Sequence, residues 1–358
     1  MRVFAEFMKN LPLDLHRNPI SGRKVRPMRA LLVLLLSVSG AHPEEVPLLG
    51  QAISIALEND LVINTDRHYT HGSKLTYVGA EAKPDPDPKG IRQRLARWLP
   101  EMGMKPVAFR TGLALGQNIY TPTDVAVSGL QPNDRPYAGY LYGSVFLQQR
   151  GRFYDVDILD DWRFDLGLIG PPALGEEAQS SIHRWRNLDL AFGWGHQLST
   201  EPTMAFKFQR QWKTNLLPDD DWRLEWIPTA GISLGAPLTY LAIGSQFRFG
   251  LHPPLGFGHT AIDSLGHYSG GDSASAFGAH LFTGVEVRAV GWNSTLDGTL
   301  FRSSHHVHRK PLVGDAMMGF AITHGRMEIS YAQIFRSKEF ASQKEIDSFG
   351  SLRVTVKW

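Results

Sequence analysis

From Pro47 onward, apolar residues recur at every second position along this chain, the spacing of a strand that presents one face to an apolar phase. In "AISIALEND", Ile53, Ile55 and Leu57 fall on one side and Ala52, Ser54, Ala56 and Glu58 on the other. "SKLTYVG" opposes Leu75 and Tyr77 to Lys74 and Thr76, and "FRTGLALGQ" opposes Phe109, Leu113 and Leu115 to Arg110, Gly112 and Gly116. "LFTGVEVRA" and "RMEISYA" repeat the pattern, with Glu286, Arg288 and Glu328 on the second face. That face carries charges and glycines, more polarity than the core of a sandwich tolerates without partners.

A membrane barrel accounts for both faces, since its apolar side meets lipid and its polar side lines the lumen. Tyrosines near strand ends (Tyr69, Tyr77, Tyr137, Tyr140, Tyr142, Tyr331) are expected to form the interfacial girdles. Short turns such as Thr323-His324-Gly325 are expected to alternate with long polar connections at 81–106, 250–275 and 292–312. The sequence closes on "SLRVTVKW", alternating and ending on Trp358, a form that resembles the final strand read by the outer-membrane assembly machinery. Strand starts fall near 51, 69, 108, 137, 153, 203, 223, 239, 279, 315, 326 and 347. Twelve is an even number, as a single-chain bacterial barrel requires. The expected fold is all-β, a single-domain transmembrane antiparallel barrel of about twelve strands over 42–358, with a short helix near one rim.

The first residues read differently. Arg23, Lys24, Arg26 and Arg29 lead into the apolar run "ALLVLLLSVS" and then Ser39-Gly40-Ala41, the layout of a signal peptide ending at 41. The untidy stretch before Met28 suggests that translation starts there. Beyond this segment no apolar run approaches the roughly 20 residues of a spanning helix. The chain has no cysteine, which removes disulfides and thiolate metal sites, and its net charge of +2 gives no reason to expect nucleic acid as a partner. A monomer in the bacterial outer membrane is expected.

Two stretches could carry chemistry. In "ENDLVINTDRHYTHG", Asn59 and Asp60 stand where a strand ends, and an amide oxygen beside a carboxylate suits a hard cation, although Asn-Asp is also a common turn pair. Asp60 shares the parity of Glu58 and should face the lumen, whereas Asn59 would join it only if the strand bends. Thr70 shares the parity of Lys74 and is placed on the lumenal side too. In "IGPPALGEEAQSSIHRW", Gly170-Pro171-Pro172 ends a strand, and a helix over 176–186 would set Glu176, Gln179 and His183 on one face. Asp189 follows closely enough to orient the histidine, and an imidazole aligned by a carboxylate is a plausible general base. The bland reading is a rim helix with a hydrogen-bonded histidine. "NDRPYAGYLY" reads as a rim loop pinned by an Asp134–Arg135 pair. No Gly-x-Ser-x-Gly elbow occurs.

Taken in order, "ENDLVINTDRHYTHG", "QNIYTP", "NDRPYAGYLY", "LGLIGPPALGEEAQSSIHRW", "GWGHQLSTEP" and "FRSKEFASQ…FGSL" resemble the outer-membrane lipid A 3'-O-deacylase family over essentially the whole chain after the leader. The resemblance implies a twelve-stranded barrel and a calcium-dependent esterase that removes the 3'-linked acyloxyacyl chain of lipid A in lipopolysaccharide. It implies Asn59 and Asp60 at a Ca2+ site, His183 as the catalytic histidine, and Gln179 and Thr70 beside it. Asp189 stands where family members carry glutamate. Members also place a basic pair in the loop after the Tyr-x-Pro segment, whereas Asp124-Val125-Ala126-Val127 has none, so phosphate recognition would fall to Arg135 or Arg184. Two other functions fit the same pattern: an outer-membrane phospholipase or esterase of different specificity, and a barrel without enzymatic activity.

Overall fold

The computed structural model describes residues 47–59, 68–85, 87, 90–217, 219, 221–266 and 276–358. Among them twelve antiparallel strands close into a barrel in which each strand pairs with its sequence neighbours and the first pairs with the last. The strands are β1 (Ala52–Asn59), β2 (His68–Val78), β3 (Lys105–Thr121), β4 (Ala138–Phe153), β5 (Val156–Ile169) and β6 (Glu201–Asn215). Then come β7 (Trp222–Gly235), β8 (Leu238–Leu251), β9 (Phe277–Asn293), β10 (Leu312–His324), β11 (Met327–Arg336) and β12 (Asp347–Lys357). Every start lies within three residues of the position expected from the alternation. Closure gives every strand a partner on both sides, which backbone in a hydrocarbon phase requires.

The barrel is inside out relative to a water-soluble protein. Ile53, Ile55, Leu57, Leu113, Leu115, Leu241, Ile243, Leu281, Val285 and Val354 are exposed, while Lys74, Arg110, Asp165, Lys207, Arg248 and Arg353 are buried in the lumen. The buried charges are matched. Asp165 accepts from Arg163 at 2.6 Å and from Ser144 at 2.6 Å, and Lys207 lies 3.1 Å away. Desolvating such groups is costly, so the matching fixes strand register more than it adds stability.

Two expectations fail. The tyrosines are not a lipid girdle: Tyr69, Tyr137, Tyr140 and Tyr142 are buried, and Tyr77 alone of the six is exposed. Tyr140 and Tyr142 stack at 4.8 Å between centroids inside the barrel, where a Cβ at Gly116 would lie 2.4 Å from Tyr142 Cζ. Inward glycines make the room that these rings fill. Nor do long and short connections alternate. The connections 79–104 and 252–276 leave from the same rim as the short turns at 154–155 and 325–326, the rim where Gln51 and Trp358 pair. We call this the terminal rim. The described part of 252–276 folds back into the lumen: Ile262 N–H donates to Glu58 at 2.8 Å, Arg353 donates to Thr260 O at 2.7 Å, and Asp263 pairs with Arg336 at 2.8 Å.

Two helices lie on the outside of the wall. In α1 (Ile91–Trp98), Ala96 packs against Phe109 of β3 and Leu147 of β4 at the terminal rim. In α2 (Gly175–Arg186), the first turn meets β4 at the opposite rim, where a Cβ at Gly139 would stand 3.1 Å from Gly175 Cα. A single helical turn, α3 (Ser294–Asp297), follows β9.

Candidate functional site

The site is assembled on the outer face of the far rim by a bulge and by α2. One register row crosses the wall there: Asn59 of β1 faces His71 of β2, which faces Ile119 of β3, which faces Gly139 of β4. The β2–β3 register shifts between Tyr69 and His71, so Thr70 is the extra residue of a β-bulge. Tyr69 therefore points inward, where its hydroxyl donates to Glu58 at 2.8 Å. Thr70 turns outward, with its hydroxyl 2.7 Å from that of Thr121. This corrects the lumenal placement of Thr70: the extra residue breaks the parity on which that expectation rested. It also settles how Asn59 meets it. Asn59 stays outward without bending, and its Nδ2 donates to Thr70 O at 2.9 Å. Asp60 lies outside the described residues.

The start of β2 is clasped from two directions. His68 Nδ1 lies 2.6 Å from Asp347 Oδ1 and His68 Nε2 lies 3.0 Å from Thr123 Oγ1. Asp134, in the loop after β3, is pushed up by its burial, yet hydrogen bonds from His68, Thr123 and the Arg135 amide outweigh this and hold its carboxyl at about 2. Asp134 and Arg135 do not pair through their side chains, as the sequence suggested. Asp134 accepts from the Arg135 amide at 2.7 Å, whereas the Arg135 guanidinium reaches Glu339 at 3.1 Å and Thr295 at 2.9 Å. Arg135 is fully buried, which removes it as a group for an incoming phosphate, while Arg184 is exposed on α2.

Helix α2 starts after the Gly170–Pro172 break, one residue before the expected 176. Its buried face is Gly175, Gln179 and His183, spaced by four; Glu176 is exposed and does not share it. A helix so close to a sheet needs small residues at the contact. A Cβ at Gly175 would lie 2.8 Å from the Trp194 ring and 3.0 Å from Gly139 Cα. Trp194 links helix to wall: it packs with Ile119 and Tyr137, and its Nε1 donates to Gln179 Oε1 at 2.8 Å.

The helix ends at Asn187, whose φ of 55° is the left-handed cap that asparagine tolerates. That reversal returns the chain over the last turn: Leu188 N–H donates to His183 O at 2.9 Å, and Asp189 O comes against His183 Nδ1. A carbonyl oxygen only accepts, so Nδ1 carries the proton and Nε2 is the basic nitrogen. The orientation expected of the Asp189 carboxylate is thus supplied by its main chain, and its side chain is exposed. Aspartate and glutamate are equivalent for that purpose.

The structure therefore joins Asn59 to Thr70, Gln179 to Trp194 and His183 to the Asp189 carbonyl, on one outer face. Thr121 and Trp194 complete it, while Glu58 and Tyr69 brace the bulge from the lumenal side. The sequence reading missed these four, and only the bulge, which a single sequence does not announce, gives the first and last their roles. The oxygens of Asn59 and Thr70 are hard donors of the kind calcium takes. Among the described residues no group of three or more His, Asp and Glu side chains is placed to hold a metal ion, and the one carboxylate of the proposed pair is Asp60.

A closed, even-stranded barrel with an apolar exterior, a charge-matched lumen and polar chemistry on its outer wall defines an outer-membrane β-barrel protein. The chain belongs to the LpxR family: the family model, described as outer membrane protein LpxR, matches residues 30–358. Its fold is similar to LpxR from Salmonella typhimurium, with a TM-score of 0.66 and 18% identity over 86% of this chain and 100% of that one. The β-domain of the Bordetella autotransporter BrkA (TM-score 0.40, 8% identity, 86% and 97% covered) is also similar. So is the translocator domain of NalP from Neisseria meningitidis (TM-score 0.36, 11% identity, 93% and 94% covered). No curated protein matches by sequence.

Proposed function

We propose that this protein is an esterase of the outer membrane that hydrolyses the 3'-O-linked acyloxyacyl chain of lipid A. The observation that carries the reading is His183: buried on α2, outside the wall, with Nδ1 donating to a carbonyl so that Nε2 is the base. Nε2 takes a proton from a water whose oxygen attacks the ester carbonyl. Collapse of the tetrahedral intermediate breaks the bond to the sugar oxygen, which leaves with the proton from His183, and the acyl chain departs as its carboxylic acid. Gln179, held by Trp194, fixes the helix face that presents the imidazole. The Thr70 hydroxyl would donate to the ester. Asn59 and Asp60 would hold Ca2+, whose charge would polarise the carbonyl and steady the oxyanion.

The level of the site on the wall supports a lipid substrate. On β3 the contacts of α1 and α2, Phe109 and Ile119, are ten residues apart, with exposed Leu113 and Leu115 between them. Ten residues at about 3.3 Å each, tilted by about 40°, span about 25 Å, the height of the apolar band. A site at Ile119 thus lies at the headgroup level of one leaflet, where the ester of a lipid would meet it.

A phospholipase reading draws on the buried Arg135 and on the loop at 124–127, which has no lysine or arginine. The exposed Arg184 and Arg186 of α2 favour the doubly phosphorylated substrate instead. Purified protein in mixed micelles, given lipid A or phosphatidylethanolamine, separates the two by the fatty acid released. Release from lipid A alone, lost with EDTA, is expected; release from the phospholipid alone overturns the lipid A assignment.

A further inference from the structure

Among the described residues, helix α1 is the one outer helix whose apolar side is turned away from the protein. Ala96 faces the wall, and at 100° per residue Ile91, Leu95 and Trp98 form a stripe within about 60° of one another on the opposite side. They are 71%, 51% and 87% exposed. Arg92 flanks the stripe on one side and ties back to Ala80 O at 3.2 Å. Arg94 and Arg97 flank it on the other, exposed, and form no ion pair with any described residue. In water this face would be a liability of three large apolar side chains on an eight-residue helix. At the edge of a bilayer it is an anchor.

We propose that α1 is a membrane-surface anchor that inserts Ile91, Leu95 and Trp98 into the leaflet at the terminal rim, with Arg94 and Arg97 on anionic glycerophospholipid headgroups. Three observations name this occupant. The stripe is continuous with the lipid-facing band, because the wall residues beneath α1, Phe109 and Leu147, have the same outward parity as exposed Leu113 and Val145. It stands about one apolar-band height from α2, at the other interface. Basic residues beside an apolar stripe containing tryptophan are the composition of helices that lie in an anionic interface. Two of the five connections at the terminal rim are two-residue turns (154–155 and 325–326), against one of six at the opposite rim (236–237), which favours the periplasmic side for the terminal rim and the inner leaflet for α1. The inference stands apart from the esterase reading, since it concerns neither α2 nor the bulge.

The absence of cysteine makes the test direct. Leu95→Cys, Trp98→Cys and, as an aqueous reference in the 154–155 turn, Asp155→Cys are each labelled with a nitroxide. The folded proteins, recognised by heat-modifiable electrophoretic mobility, are reconstituted into phosphatidylcholine vesicles with and without phosphatidylglycerol. Collision rates with oxygen and with a water-soluble nickel complex are then compared. The oxygen-to-nickel ratio at 95 and 98 should exceed that at 155 by about threefold or more. Phosphatidylglycerol should raise it further in the parent but not with Arg94→Gln and Arg97→Gln. A ratio at 98 equal to that at 155 overturns the anchor. Spin–spin broadening at 98 overturns it in favour of a second copy of the chain. A ratio indifferent to phosphatidylglycerol overturns the assignment to anionic lipid.

Discussion

Helices α1 and α2 lean on the same two strands, β3 and β4, at opposite ends of the apolar band, and they use that wall in opposite ways. The first turns a small residue to the wall and its large apolar residues outward. The second turns glycine, glutamine and histidine to the wall and its tryptophan and arginines outward. The difference lies in what the helix shelters. Under α1 the contacts are apolar, Phe109 and Leu147 with Ala82 beside them, and its polar tie, Arg92 to Ala80 O, lies at the edge. At α2 three polar groups of the site are met: Gln179 by Trp194, His183 by the Asp189 carbonyl, Thr70 by Thr121. Buried polar groups satisfied in this way fix one geometry, which chemistry requires and anchorage does not.

Detaching each helix tests that contrast, and the largest effect should come from α2. Gly175→Val forces a Cβ against Trp194 and the Gly139 backbone, so α2 must lift. Acyl release should fall about a hundredfold or more, because misplacing a catalytic group by about 1 Å costs that much, while the barrel keeps its heat-modifiable mobility. Next is Tyr69→Phe, which removes the inward hydrogen bond to Glu58 on one side of the bulge. Leaving a buried acceptor short of a donor costs about 1–3 kcal/mol, so kcat should drop about tenfold with KM little changed. Ala96→Glu, which buries a charge between α1 and the wall, should loosen α1 and lower the unfolding temperature, yet leave activity in micelles within about twofold of the parent. The smallest effect belongs to Asp189→Ala: the carbonyl remains, and kinetics should stay within about twofold. A large loss there would return the orienting role to the carboxylate.

Much of this was legible in the sequence, and the failures share a cause. Alternation located all twelve strands, because a wall between lipid and a polar lumen imposes period two on every residue that crosses it. The helix carrying Gln179 and His183 was legible from the Gly-Pro-Pro break and the spacing of four. Thr70 was misplaced because one inserted residue reverses parity without altering composition. The inward tyrosines were unreadable because their room comes from glycines on neighbouring strands, as Tyr142 does from Gly116, and that pairing requires the register. The Asp189 carbonyl was hidden because main-chain groups are the same at every position. Helix α1 was read as part of a polar connection, although Ile91, Leu95 and Trp98 at i, i+4 and i+7 were there to be seen.

The central claim is that His183, outside the wall, is the base of an esterase acting on lipid A. It is tested most directly by the mass spectrum of lipid A from Gram-negative cells expressing the parent chain or His183→Ala, each shown to be in the outer membrane. The account predicts loss of one acyloxyacyl group with the parent and an unaltered spectrum with the variant, whose rate should be lower by about 10²–10⁴-fold. The same mass loss in both, or in neither, would contradict it.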